Sequence, residues 1–270
     1  MRKVSRICSI MQILMENPGK EFSLGYFASM FDCAKSSISE DIKDCREAVE
    51  EIGKGRIETI SGVKGGVKFV PLISAEESLK ILNDTKLRLE EKDRMLGGGF
   101  LYTSDLMFDP KYAKGFGRIF AKHFCDCGAD IVITVETKGI ETAAFTAEQL
   151  SLPLAVIRHE SKVSDGSTVS INFFSGSSDR IKQMSLSKRA IKPGSKAIII
   201  DDFMRGGGSI KGICDMLAEF DCEVAATGVV LSIDDAKPKR VGDYFPLLLI
   251  DSALLEEGVC KIVPNPKATE

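Results

Sequence analysis

One stretch indicates the fold of the larger part of this 270-residue chain: Ala197-Ile-Ile-Ile-Asp201-Asp202-Phe-Met-Arg-Gly-Gly-Gly-Ser209. Its four leading apolar residues predict a buried strand, and Gly207–Phe220 behind them predicts a helix. Outward from it, apolar strands and helices alternate. They are predicted at Lys111–Cys125 (helix), Ala129–Val135 (strand), Glu141–Leu150 (helix), Leu154–Arg158 (strand) and Val224–Leu231 (strand). This alternation predicts an α/β domain with a largely parallel sheet and flanking helices; only Ser161–Ser187 interrupts it, as a hairpin or flap.

The same stretch predicts a site for a ribose phosphate. Gly206, Gly207 and Gly208 allow backbone N–H groups to surround an anion at the positive end of the following helix. Ser209 can donate a hydroxyl hydrogen bond to that anion, and Asp201 and Asp202 can accept hydrogen bonds from sugar hydroxyls. An ordinary glycine-rich turn would not need two neighbouring carboxylates, because their charges repel each other.

This stretch resembles the phosphoribosyl pyrophosphate (PRPP) signature of type I phosphoribosyltransferases, which is four apolar residues, two acids and a short loop ending in Thr or Ser. The resemblance places the family's pyrophosphate loop at Glu136-Thr137-Lys138-Gly139, after the strand Ile131–Val135. Lys138 supplies positive charge there, and Gly139 permits close approach of the backbone. Alone, this segment is better explained as a plain turn; beside the first motif, we favour the binding loop.

The first seventy residues predict a second, smaller domain. Helices are predicted from Val4 to Glu16, from Ser23 through Phe31, and from Lys35 with Ile38, Ile42, Cys45 and Val49 on one face. Two strands follow at Arg56–Ile60 and Gly66–Val70, joined by a glycine-rich turn. Three helices and a hairpin in this order are typical of a winged-helix DNA-binding domain.

We place this winged-helix domain at 1–73 and the phosphoribosyltransferase-like domain at 74–270, with 74–99 as a connecting helix and loop. The connecting helix is expected from about Ser74 to Lys92, with Leu79, Leu82 and Leu89 as its apolar contacts. DNA contacts are expected from the polar start of the third helix and from the wing. The residues are Lys35, Ser36, Ser37, Ser39, Lys64 and Lys68. Taken alone, Lys35 or Lys64 is better explained as a solvated surface lysine than as a phosphate contact. A further alternative is an adaptor whose N-terminal domain binds protein instead of DNA. The polar start of the third helix and the lysines of the wing argue against it.

Composition limits the remaining possibilities. The net charge of −3 gives no global attraction to nucleic acid, so DNA contacts must come from a local patch. Among eight cysteines the one close pair is Cys125-x-Cys127, which does not match the ligand spacing of a zinc site and indicates free thiols in a reducing cytoplasm. No run of about eighteen apolar residues is present, so we expect a cytoplasmic protein without a membrane segment.

Both halves together resemble the purine operon repressors of Gram-positive bacteria over nearly the whole chain. The strings that carry the resemblance are Lys35–Asp41, Gly65–Lys68, Thr137–Ile140, Asp165–Asn172, Ser175–Ser178 and Ile200–Met204. The chain departs from that pattern at Arg205, where the family has Lys, at Glu136, and in a short C-terminal tail.

This resemblance implies a transcriptional repressor of purine-synthesis genes. PRPP would bind as the inducer that releases DNA, and guanosine tetraphosphate (ppGpp) would oppose it. The implied effector site consists of Asp201, Asp202, Phe203, Met204, Arg205, Gly206, Gly207, Gly208, Ser209, Thr137, Lys138, Gly139 and Tyr102. Taken alone, Tyr102 is better explained by core packing. We expect a homodimer on a double-stranded DNA operator, no catalytic cofactor, and Mg²⁺ arriving with the diphosphate of PRPP.

The main alternative is an active purine phosphoribosyltransferase of the xanthine or adenine type with an appended DNA-binding domain. Transfer chemistry requires a nucleobase pocket beside the ribose, and the sequence identifies none. A turnover assay with PRPP and each purine base distinguishes the two functions.

Overall fold

A computed structural model describes residues 1–62, 65–96, 100–161, 163–175, 180–234, 239–252 and 260–270. Contacts between Cα atoms divide the chain into two compact units. One comprises Met1–Ser74 together with Glu148–Ser151, and the other comprises Ala75–Ala147 and Leu152–Glu270.

The N-terminal unit contains three helices and a small antiparallel sheet. In chain order these are α1 (Lys3–Glu16), β1 (Phe22–Ser23), α2 (Leu24–Phe31), α3 (Lys35–Glu51), β2 (Gly55–Ile60) and β3 (Gly66–Pro71). The Ser23 side chain accepts a hydrogen bond from the Tyr26 backbone N–H, as the predicted helix cap requires. The strand β1 was not predicted, since two residues carry no periodicity; it pairs with β3, giving the order β1-β3-β2.

The core of this unit follows the predicted helical periodicity. The four α3 residues predicted to share a face are all buried, and they pack with residues of α1 and α2 around Phe27. Asp41 of α3 is buried as well, which helical periodicity did not predict, and it forms an ion pair with Arg6 of α1. A buried carboxylate requires such a partner.

The second unit contains the remaining elements. They are α4 (Ala75–Leu89), β4 (Met95–Leu96), β5 (Phe100–Leu101), α5 (Ser104–Met107), α6 (Pro110–Phe124), β6 (Ile131–Val135), α7 (Ile140–Leu150), β7 (Leu154–Ile157), β8 (Thr168–Ser175), β9 (Arg180–Ser187), β10 (Lys196–Met204), α8 (Gly208–Ala218), β11 (Glu223–Asp234), β12 (Phe245–Asp251) and β13 (Ile262–Pro264).

A six-stranded sheet in the order β13-β12-β11-β10-β6-β7 organises this unit. Every neighbouring pair is parallel except β12 with β13, which confirms the predicted α/β class. The strands β12 and β13 were not predicted. The predicted hairpin is present as β8 paired antiparallel with β9, and Phe173 and Met184 bring it into the core beside α8.

Three predicted boundaries were wrong. The helix α4 ends at Leu89 rather than Lys92, and its buried face runs through Ser78, Leu82, Thr85 and Leu89. Leu79, predicted as an apolar contact, is 45% exposed because it lies one position off that face. The strand β10 continues beyond Ile200 to Met204, so Asp201 and Asp202 belong to the strand, and α8 spans Gly208–Ala218.

Candidate functional site

The two aspartates lie near the carboxyl end of β10, a central strand that pairs with β6 on one side and β11 on the other. Asp201 is only 4% exposed, and its Oδ1 accepts a hydrogen bond from the Asp202 backbone N–H at 2.9 Å. Asp202 is half-buried. Carboxyl ends of parallel strands are where open α/β sheets bind ligands, so both carboxyl groups lie at a favoured position.

Burial raises the pKa of both carboxyl groups. It raises the pKa of Asp201 well above the ordinary aspartate value, and the neighbouring charge of Asp202 raises that pKa further. Burial also raises the pKa of Asp202, while the ammonium of Lys138 acts in the opposite direction. Each carboxylate is therefore poorly solvated, and a ligand hydroxyl or cation that compensates its charge would be strongly favoured.

The segment Arg205–Ser209, hereafter the phosphate loop, connects β10 to α8. Gly207 has a φ of +77°, a left-handed conformation that strains any residue with a side chain, and it directly precedes the first residue of α8. Ser209 lies in the first turn of that helix. The loop thus presents backbone N–H groups and one hydroxyl at the positive end of a helix, an arrangement that binds phosphate.

The loop Glu136–Gly139 follows β6 and approaches the aspartates closely. A Cβ atom on Gly139 would lie 2.7 Å from Oγ1 of Thr134 and 3.4 Å from Cα of Asp201. The Lys138 ammonium donates to Oγ1 of Thr103 at 3.2 Å. The Glu136–Thr137 peptide bond is cis, and the Glu136 carboxylate accepts the backbone N–H of His159 at 2.6 Å.

Two cavities meet at these loops. The first, of about 210 Å³, is lined by the phosphate loop, Asp201 and Asp202. The second, of about 480 Å³, is lined by Thr137, Lys138 and the β5 region. Asp202, Phe203, Lys182 and Arg205 line both cavities. The arrangement offers one anion site at the phosphate loop, a second at Lys138, and a carboxylate between them.

Most of the predicted effector residues converge on these cavities. All nine residues from Asp201 to Ser209 line the first cavity, although the Met204 side chain is buried in the core. Thr137 and Lys138 line the second, and Gly139 lies against the aspartate backbone. Tyr102 lines neither cavity. The residue is 44% exposed, with the Arg94 guanidinium 5.9 Å from its ring centroid, so the alternative of core packing is wrong for it.

Sequence reasoning missed Glu136 as a cavity residue, along with His159, Phe173 and Lys182. Their positions depend on pairing between distant segments. Phe173 and Lys182 are directly opposite in the β8–β9 hairpin, and the His159 ring stacks on Phe173 with centroids 6.3 Å apart. Polar alternation predicted the hairpin but not its register.

The predicted DNA-contact residues are distributed over α3 and β3. Lys35, Ser36 and Ser39 are exposed at the start of α3, and Ser37 is half-buried. Lys68 forms an ion pair with Glu58 at 3.0 Å, and Lys64 lies outside the described residues.

A groove of about 1230 Å³ adjoins these residues within the N-terminal unit. Lys35 and Ser39 line it, together with three cationic residues that sequence reasoning did not select, Lys20, Lys43 and Arg46. Arg46 is held in place by the Ile57 carbonyl at 2.9 Å and the Thr59 hydroxyl at 2.6 Å. Glu21 and Glu40 also line the groove, so its cationic character is local.

The described residues contain neither a metal-binding cluster nor a membrane-spanning helix. Within the described part of the chain, no three His, Cys, Asp or Glu side chains are grouped so that they could hold a metal ion. No helix of the described residues has both the length and the apolar character needed to cross a bilayer.

Two protein families match the two units. Residues 2–71 match the family described as "Bacterial purine repressor, N-terminal", and residues 105–251 match "Phosphoribosyl transferase domain". The fold of the second unit is similar to that of adenine phosphoribosyltransferase from Saccharomyces cerevisiae. That crystal structure aligns with a TM-score of 0.53 at 18% identity, covering 62% of this chain and 97% of the yeast chain.

Curated relatives match over nearly the full length. A probable purine biosynthesis transcriptional regulator of Streptococcus pneumoniae is 44% identical, covering 93% of this chain and 91% of its own. The purine biosynthesis transcriptional repressor of Bacillus subtilis is 37% identical, covering 97% and 92%. The purine biosynthesis transcriptional activator of Lactococcus lactis is 36% identical, covering 93% of each chain.

These relatives differ in the direction of regulation, since one is a repressor and another an activator. They agree in being named regulators of purine biosynthesis. The chain therefore belongs to the family of bacterial purine biosynthesis transcriptional regulators, which join a purine-repressor N-terminal domain to a phosphoribosyltransferase domain.

Proposed function

We propose that this regulator represses purine-synthesis genes, and that PRPP bound between the phosphate loop and Lys138 releases it from DNA. The observation that carries the proposal is the convergence of the two loops on Asp202, which lines both cavities. PRPP carries a phosphate at one end of its ribose and a diphosphate at the other. A carboxylate between two anion sites matches that distribution of charge.

Each part of PRPP has a counterpart in the site. The 5-phosphate is proposed to bind the N–H groups of Gly206–Gly208 and the Ser209 hydroxyl, and the ribose hydroxyls to bind Asp202. Asp201 holds the Asp202 backbone through its Oδ1, so its role is partly to orient its neighbour. The diphosphate is proposed to bind Thr137, Lys138 and the Gly139 backbone. Mg²⁺ enters with the diphosphate as part of the effector, since a hard cation normally accompanies such chains.

Guanosine tetraphosphate is proposed as the opposing effector at the same loops. It also carries two phosphorylated ends on one ribose, so the same separation of anion sites suits it. Tyr102 is retained in this proposal only as a neighbour of the second cavity, whose lining includes Leu101 and Thr103 on either side of it.

DNA binding is proposed for the start of α3 and the wing, in a homodimer on a double-stranded operator. Symmetric operators need two DNA-binding domains, and one winged helix reads only a half-site. We propose repression rather than activation because the Bacillus subtilis relative is named a repressor.

A gel-shift experiment on the organism's own purine promoter tests the function. We expect the protein to bind the promoter, and we expect added PRPP with Mg²⁺ to weaken that binding. Binding that PRPP strengthens would indicate an activator. Binding that PRPP leaves unchanged would contradict its role as effector.

Catalytic phosphoribosyl transfer is the second candidate function, favoured by the match of residues 105–251 to the phosphoribosyltransferase family. We propose that the chain is not an enzyme, because its full-length relatives are transcription regulators. Incubation with PRPP, Mg²⁺ and guanine, hypoxanthine, xanthine or adenine should release no pyrophosphate. Base-dependent release would establish the enzyme instead.

A further inference from the structure

Three consecutive residues pack against three consecutive residues of the phosphate loop. We name Lys239–Val241 the buttress segment. The Lys239 ammonium donates to the Arg205 carbonyl at 2.6 Å, and the Arg240 backbone N–H donates to the Gly206 carbonyl at 3.1 Å. A Cβ atom on Gly207 would lie 3.3 Å from the Val241 side chain. One segment therefore contacts the loop at three successive positions.

These contacts fix the direction of the loop N–H groups. The Arg205 carbonyl and the Gly206 N–H belong to one planar trans peptide, in which the two groups point in opposite directions. Holding that carbonyl outward directs the Gly206 N–H away from Lys239. The Arg240 N–H holds the Gly206 carbonyl in the same way, and this directs the Gly207 N–H away from Arg240. Both glycines line the first cavity.

The buttress segment is itself anchored at two further points. The Lys239 ammonium also donates to the Ile233 carbonyl near the end of β11, at 2.7 Å, so it ties a central strand to the loop. The Arg240 guanidinium lies 4.7 Å from the centre of the Phe174 ring on the β8–β9 hairpin, a cation–π contact. The loop is thus supported from both the sheet and the hairpin.

We propose that Lys239 is a positioning residue for the 5-phosphate, acting through the Arg205–Gly206 peptide without touching the ligand. The inference rests on the proposed binding of a phosphoribosyl ligand, and it adds Lys239 to the residues that determine the affinity for that ligand. Without the ammonium, water would bind the Arg205 carbonyl and the loop would lose its fixed orientation. Part of the binding free energy would then be used to restore it.

The test compares three ligands on the full-length protein by calorimetry: PRPP with Mg²⁺, ribose 5-phosphate, and inorganic pyrophosphate with Mg²⁺. In Lys239→Met we expect PRPP and ribose 5-phosphate to bind more weakly by the same factor, roughly tenfold, as for loss of one charge-assisted hydrogen bond. Pyrophosphate binding should weaken much less, because Thr137 and Lys138 line the second cavity and not the first, where the phosphate loop lies. Lys239→Arg, which keeps a donor cation, should stay within roughly threefold of wild type.

Lys188→Met is the matched control, since Lys188 is exposed and lines neither cavity. Equal affinity of Lys239→Met and wild type for ribose 5-phosphate would overturn the inference, as would equal weakening of all three ligands. If Lys239→Met fails to fold, Lys239→Gln gives the same comparison, because it also removes the cation. Failure of wild-type protein to bind PRPP would instead contradict the proposed function itself.

Discussion

Gly139, in the loop that follows β6, lies close to Asp201 on the neighbouring strand β10: a Cβ atom on Gly139 would stand 3.4 Å from the Asp201 Cα and 2.7 Å from Thr134 Oγ1. Since 2.7 Å is closer than such atoms normally approach, Gly139→Ala must displace Thr134 or the Lys138 loop. We expect PRPP binding to weaken by at least roughly tenfold, because a displaced loop no longer holds its binding groups in the position that the ligand requires. Calorimetry of both proteins measures the change.

Gly242→Ala provides the control, because a Cβ atom there would meet no atom within 4 Å. It should bind PRPP like wild type. A Gly139→Ala protein with unchanged PRPP affinity would show that the close contact between the two loops does not shape the site.

Asp201→Asn should raise the stability of the ligand-free protein at neutral pH while weakening PRPP binding. The folded-state pKa of Asp201 lies above its unfolded value, because burial and the Asp202 charge oppose ionisation. As the pH rises above the ordinary aspartate pKa, the folded protein holds a proton that the unfolded chain has lost. The free energy of unfolding therefore falls over this range, and the asparagine variant avoids the loss.

Urea unfolding at neutral and at acidic pH measures this effect. The two proteins should differ most at neutral pH and converge in acid. Asp215→Asn serves as the control, since Asp215 is exposed and pairs with Lys211 on the surface of α8, where solvent screens such pairs and they contribute little to stability. An Asp201→Asn protein that is less stable than wild type at neutral pH would contradict the account.

The strongest elements of the fold could be predicted because their signals are local. The Ala197–Ser209 stretch contains its strand, acids and loop in one continuous segment, and α3 shows its buried face by spacing alone. Elements that depend on distant partners could not be predicted. The two-residue strand β1 exists only through its pairing with β3, and Lys239 reaches the phosphate loop from 34 positions away.

Lys35 should contribute more to DNA binding than Lys68. Lys68 already forms an ion pair with Glu58, whose pKa it lowers, whereas Lys35 is exposed at the start of α3. We expect Lys35→Ala to weaken binding to all DNA sequences similarly and to reduce the slope of log affinity against log salt by about 0.9, as for one lost phosphate contact. Lys68→Ala should change the slope less.

Fluorescence anisotropy over a salt series measures both slopes. Lys188→Ala, outside the N-terminal unit, is the control. Equal slopes for wild type and Lys35→Ala would remove Lys35 from the DNA interface.

Removal of residues 1–73 should leave a folded homodimer, because residues 75–147 and 152–270 have a core of their own around the six-stranded sheet. Sedimentation equilibrium of the truncated chain, with circular dichroism as the folding control, tests this. A folded monomer would place the dimer contacts in the N-terminal unit.

In the proposed function, PRPP acts on DNA binding through Asp202. Only a ligand that binds the free protein more tightly than the DNA-bound protein can release DNA, and DNA must weaken PRPP binding by the same factor. Asp202→Ala removes the carboxylate shared by both cavities and lies outside the N-terminal unit, so operator affinity without PRPP should be unchanged. Arg205→Ala should retain most of the response, because the backbone loop and Ser209 remain.

The most direct measurement is operator affinity of wild type and Asp202→Ala across one PRPP titration with Mg²⁺. Wild type should lose operator affinity as PRPP rises, and Asp202→Ala should stay bound at PRPP concentrations that release wild type completely. Release of both proteins at the same PRPP concentration would show that the effector does not act through this site.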